Sequence, residues 1–122
     1  MYLAYDEYKD AGGNLLTEKD ANKYIQYATD AIDALTFNRI VRIGVDNLTE
    51  FQKDKVKRCA FWIAEFFCEN EDLVKSYVQS YSINGVTASI GGDNLHCESG
   101  VVVPSVAYSI LAQTGLCHKG VW

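Results

Sequence analysis

Few residues in this chain of 122 have both the type and the company to do chemistry. Its two histidines each stand beside a cysteine, as His96-Cys97 and Cys117-His118. Two thiolates and two imidazoles would complete a tetrahedral zinc site if the fold brought them together. Their spacing matches no common finger and no CxxC pair occurs, so they read as separate loop residues and no metal is expected. Cys97 would be an activated nucleophile only if His96 faced it, whereas side chains adjacent in sequence point apart, and we assign it no catalytic role. Gly91-Gly92 lacks the rest of a phosphate-binding loop, Ser105 and Ser109 lack the flanking glycines of a nucleophile elbow, and there is no HExxH. The expectation is therefore a non-enzymatic protein without a cofactor.

Binding chemistry leaves one stronger trace. Lys53, Lys55, Lys57 and Arg58 form a single basic cluster, which the acids Glu50 and Asp54 turn into an ordinary solvated face. The whole chain carries a formal charge of -5, which argues against an electrostatic grip on a phosphate backbone. Residues 1–58 hold ten acids and nine bases, residues 59–122 six acids and two bases, so the second half is the acidic one. No apolar run reaches the ~20 residues needed to cross a bilayer, and the first ten residues lack the basic start and apolar stretch of a signal peptide. Cytoplasmic folding with reduced thiols at Cys59, Cys68, Cys97 and Cys117 is expected, and no membrane partner.

The elements that must position these residues are punctuated clearly. With 48% hydrophobic residues the chain can bury a core, and its length fits one domain, 1–122. Residues 3–10 predict a short helix stopped at Gly12-Gly13. Thr17 predicts the cap of an amphipathic helix to about Leu35, with Ala21, Tyr24, Ile25, Ala28, Ile32 and Leu35 inward. Residues 36–47, with Phe37, Ile40, Val41, Ile43 and Val45, read as a packed connection bent at Gly44 and Asp46-Asn47. Thr49 and Gln52 have the spacing of a capping box, opening a helix over about 50–69. Pro104 reads as the first residue of a last helix to Thr114, with Val106, Ala107, Ile110, Leu111 and Thr114 along one face and Gly115 as its left-handed stop.

Between the last two helices the texture is β-prone around Asn84-Gly85, which predicts an inserted hairpin or loop around 77–91, followed by a polar loop at 96–100. The fold class expected is thus mainly α: a small bundle of three main helices plus a short N-terminal one, with that insert. Inside the third helix, residues 59–68 are apolar around nearly the whole circumference. One small domain cannot easily enclose such a helix, so Phe61, Trp62, Phe66 and Phe67 are the candidate subunit interface. The apolar Val121-Trp122 pair predicts a docking tail at about 116–122.

Three stretches resemble one family. Met1-Tyr2-Leu3-Ala4-Tyr5-Asp6-Glu7-Tyr8 with Gly12-Gly13, then Ile32-Asp33-Ala34-Leu35-Thr36-Phe37-Asn38-Arg39-Ile40, then Thr114-Gly115-Leu116-Cys117-His118-Lys119-Gly120-Val121, are similar to the small head-to-tail connector (adaptor, head-completion) proteins of long-tailed bacteriophages and their prophages. The Cys117-His118 pair departs from the apolar or aromatic residues expected there. The resemblance implies a structural virion protein, assembled in the host cytoplasm as a ring, dodecameric in the virion. Its place is beneath the portal at the head-to-tail interface, bridging to the next connector, stopper or tail component, with phage DNA passing through without sequence-specific binding. On that reading Tyr81, Ile83, Asn84, Gly85 and Val86 face the adjacent ring or the lumen, and Leu116, Lys119, Val121 and Trp122 dock on the portal. The alternative is a small helical regulatory or nucleic-acid-associated protein working through residues 53–58, with an enzyme using Cys97 or His96 third.

Overall fold

A computed structural model of the protein describes residues 2–72, 74–75, 95–98 and 100–117. The fold is mainly α, a small helical bundle with a two-stranded antiparallel hairpin. In chain order it runs α1 (Tyr5–Asp10), α2 (Glu18–Leu35), α3 (Arg39–Ile43), a 3-10 turn (Val45–Asn47), α4 (Glu50–Glu69), β1 (Leu95–Glu98), β2 (Val101–Pro104) and α5 (Ser105–Ala112). No helix among the described residues is long and apolar enough to cross a membrane.

The two long helices start where their caps dictate. The Thr17 hydroxyl accepts from the Asp20 N–H, and Thr49 and Gln52 exchange a reciprocal pair of bonds at 3.0 and 3.1 Å. Each bond satisfies a backbone donor that the first helical turn would otherwise orphan. Ile25, Ala28, Ile32 and Leu35 of α2 then pack on Val56, Ala60, Ile63 and Ala64 of α4 in one core. α5 adds Ala107, Ile110 and Leu111 to that core and packs on α4. Gln52 does further work at the α4 entrance, because its Nε2 donates to the Thr114 carbonyl at 3.1 Å and ties the start of α4 to the turn after α5.

Short α1 is held by its tyrosines and glutamate rather than by length. Tyr2 donates its hydroxyl to the Asp33 carboxylate on α2. Glu7 accepts from the Ala4 N–H and pairs with Lys57 on α4, so the N-terminal segment bridges both long helices.

Several expectations need correcting. Residues 95–98 are not part of a polar loop: they pair with Val101–Pro104 in the register His96↔Val103 and Cys97↔Val102. The β-branched run 101–103 supplies the strand, and Gly100, at φ +81°, lets the two-residue connection turn. Val102 and Val103 point to opposite faces, yet both are buried, Val103 in the main core and Val102 against Phe67 and Val74. A strand such as β2, with adjacent residues buried on both faces, loses the polar alternation by which strands are usually recognised. Pro104 consequently ends β2 and precedes α5 instead of opening it, and α5 stops at Ala112. Val106 is exposed rather than inward. The connection 36–47 is not packed either: only Ile40 and Thr36 are buried, while Phe37, Val41, Ile43 and Val45 are exposed. The hairpin expected around 77–91 lies outside the described residues.

Candidate functional site

Helix α4 sorts its aromatics by helical geometry. Val56, Cys59, Ala60, Ile63, Ala64 and Phe67 follow the three-and-four spacing of one buried stripe. Phe67 lies in that stripe, its ring stacked on Tyr27 at 4.1 Å, so its part in the fold is intramolecular. Phe61 is half-buried against the Tyr8 ring at 5.3 Å, and Phe66 half-buried beside the small cluster of Phe67, Val74 and Val102. Trp62 alone of the four points outward, 44% exposed, with its ring edge-on to Phe61.

Two concavities flank Trp62. One is lined by Leu3, Glu7, Asp54, Lys57 and Phe61. The other is lined by Phe66, Pro104 and Val106, with Glu65 and Glu69 among its walls. Burial pushes the Glu65 carboxyl above its ordinary value, the Tyr8 hydroxyl that donates to it at 3.2 Å opposes this, and the Glu69 charge adds to it. A tryptophan half in water between two grooves, one of them walled by carboxylates, is suited to protein contact.

A second surface escaped the sequence reading. At the end of α2 the Phe37 N–H bonds the Ala34 carbonyl and the Asn38 N–H bonds the Asp33 carbonyl, at 3.3 and 2.9 Å. Those are the two bonds of a Schellman ending, whose left-handed residue is usually glycine, but here Phe37 takes φ +57° and Asn38 +59°. α3 follows with Ile40 inward and Val41 outward, the latter 62% exposed. Ile43 and Val45 lie exposed around Gly44, making an apolar corner that also bears Arg39 and Arg42. A signal was present: a five-residue helix has room to bury one side only, too little for the five apolar residues between 37 and 45.

The remaining candidates are dispersed. Lys53 pairs with Glu50, Lys57 pairs with Glu7, and Lys55 lies over the Phe51 ring, so three of the four basic side chains have local partners. His96 stands on a strand, not in a loop, and stacks on Tyr108 at 3.6 Å. Burial, with the Cys117 sulfur nearby, pushes the Cys59 thiol far up and keeps it protonated. Among the described residues no three His, Cys, Asp or Glu side chains gather to hold a metal. Leu116 is buried, and its carbonyl accepts from Arg39 Nη1 at 2.9 Å. Lys119, Val121 and Trp122, His118, and the segment Tyr81, Ile83, Asn84, Gly85, Val86 lie outside the described residues. Set against known protein families, curated proteins and solved structures, the chain matches none.

Proposed function

We propose that this protein is a ring-forming structural subunit of the phage head-to-tail connector type. The ring sits beneath a portal and joins the DNA-filled head to the next connector or tail component. The observation that carries the reading is Trp62, a large aromatic left 44% exposed on the 20-residue helix α4, with Phe66 and Val106 beside it. Burying such a residue against a neighbouring copy recovers apolar area that the fold leaves in water. Repetition of one heterologous contact around an axis closes a ring and creates a central channel. An acidic protein repels the phosphate backbone, so DNA slides through such a channel without being gripped. In the same reading the segment around 81–86 meets the adjacent ring or the lumen, and residues 116–122 dock on the portal.

The experiment is a light-scattering mass across concentration, negative-stain imaging of the largest species, and capture by a purified portal ring. Annular particles, or portal capture that disappears when residues 118–122 are deleted, are the expected result. A strict monomer that no portal retains overturns the reading.

A further inference from the structure

We infer that the corner formed by Phe37, Val41, Ile43 and Val45 is the other half of the subunit joint, seating in the Trp62 groove of the next copy. This rests on the ring reading above and names the two surfaces that meet. The corner and the groove are complementary in charge as well as in apolar character. Residues 37–47 carry Arg39 and Arg42 against the single acid Asp46, and Arg42 is exposed. The groove of Trp62, Phe66, Pro104 and Val106 contains Glu65 and Glu69 and no basic side chain. Pairing corner with groove sets Arg42 opposite carboxylates. Pairing corner with corner would oppose arginines, and groove with groove would oppose glutamates, both repulsive. The joint is therefore heterologous, head to tail, the class that propagates around a ring.

Separation within one copy points the same way. The corner ends just before Thr49 at the N-terminus of α4, whereas Trp62 lies 13 residues further along that helix, about 20 Å away at 1.5 Å per residue. A rigid helix holds them apart, so one copy cannot seat its own corner. The backbone at Phe37 supplies a third observation. An aromatic side chain in the left-handed region is disfavoured, and the Phe37 ring takes no part in the buried core that would offset this: it is 38% exposed, with the Arg39 guanidinium over it at 5.1 Å. Such strain is a feature of binding sites, and here it fixes the direction in which the corner leaves α2.

Replacing Val41 by the photo-cross-linking residue benzoylphenylalanine tests the joint directly. The site is exposed and tolerates a larger side chain. Equal amounts of light and heavy isotope-labelled protein are mixed, irradiated and analysed by peptide mass spectrometry. The expected adducts join position 41 of one copy to residues 62–70 or 104–106 of a copy with the other label, and they vanish in Trp62→Asp. Adducts between two copies of position 41, adducts to other surfaces, or no inter-copy adduct at the highest attainable concentration overturn the inference. Rings or portal capture without groove adducts would sink the joint and leave the connector reading standing. Groove adducts with neither rings nor portal capture would sink the connector reading and leave the joint.

Discussion

Tyr8 shows how much one side chain can hold. It is fully buried, and its hydroxyl accepts from the Leu15 and Leu16 N–H groups at 2.9 and 3.0 Å while donating to Glu65. Gly13 lies against its ring so closely that a β-carbon there would fall 2.2 Å from the ring carbon Cζ. Tyr8→Phe strands the buried Leu16 N–H and should cost about 1–3 kcal/mol in chemical denaturation. Gly13→Ala overpacks the same contact and should cost about as much; the double variant should fall short of the sum, because both changes break one contact. Glu65 and Glu7 predict opposite pH responses. Burial raises the Glu65 carboxyl above the ordinary glutamate value of 4.5, so its contribution to stability is full below that value and is lost as pH rises through the raised one. The Lys57 hydrogen bond lowers Glu7, whose contribution is full above 4.5 and is lost as pH falls through the depressed value. Melting temperature measured against pH should accordingly fall less steeply above 4.5 in Glu65→Gln, whose amide oxygen still accepts from Tyr8, and less steeply below it in Glu7→Gln.

Among the elements, the passage from α2 to α3 has the plainest trade. Phe37 occupies a left-handed position at a helix ending, where glycine carries no penalty. Phe37→Gly should leave the fold intact and raise its stability by about 1 kcal/mol, while an aromatic is lost from the corner. A variant that is instead destabilised by several kcal/mol would mean that the Phe37 ring supports the core. Helices α2 and α4 were legible in the sequence to the residue, because Thr17, Thr49 and Gln52 act locally and the apolar spacing repeats over several turns. The hairpin at 95–104 was not, since β2, with Val102 and Val103 buried on opposite faces, shows no alternation and Pro104 mimics a helix start. At the candidate site, the apolar excess of residues 59–68 was legible, but not its partition. Whether Phe67 or Trp62 turns inward depends on where Tyr27 and β2 lie, which is long-range information. The corner was misread for a related reason: apolar composition in a short connection says that burial is wanted, not that the chain itself supplies it.

At the scale of the whole molecule, stability and assembly should separate cleanly along α4. Phe67 and Trp62 stand five residues apart on that helix, one buried on Tyr27 and the other facing water. Phe67→Ala removes a core aromatic and should cost about 3–5 kcal/mol, with assembly failing only as folding fails. Trp62→Ala gives up a side chain that is already half hydrated, so unfolding should shift by less than about 1 kcal/mol while the light-scattering mass drops to that of a single chain. Salt sharpens the contrast. If Arg42 of one copy meets Glu65 and Glu69 of the next, raising ionic strength should weaken wild-type assembly through that charged rim while leaving the monomer's denaturation midpoint nearly unchanged. Replacing Arg42 by Gln should reduce both the affinity and its salt dependence, as a rim charge does, whereas Trp62→Ala should abolish assembly at every salt concentration, as the centre of an interface does. A Trp62→Ala protein that retains the wild-type mass would instead place the subunit joint away from α4.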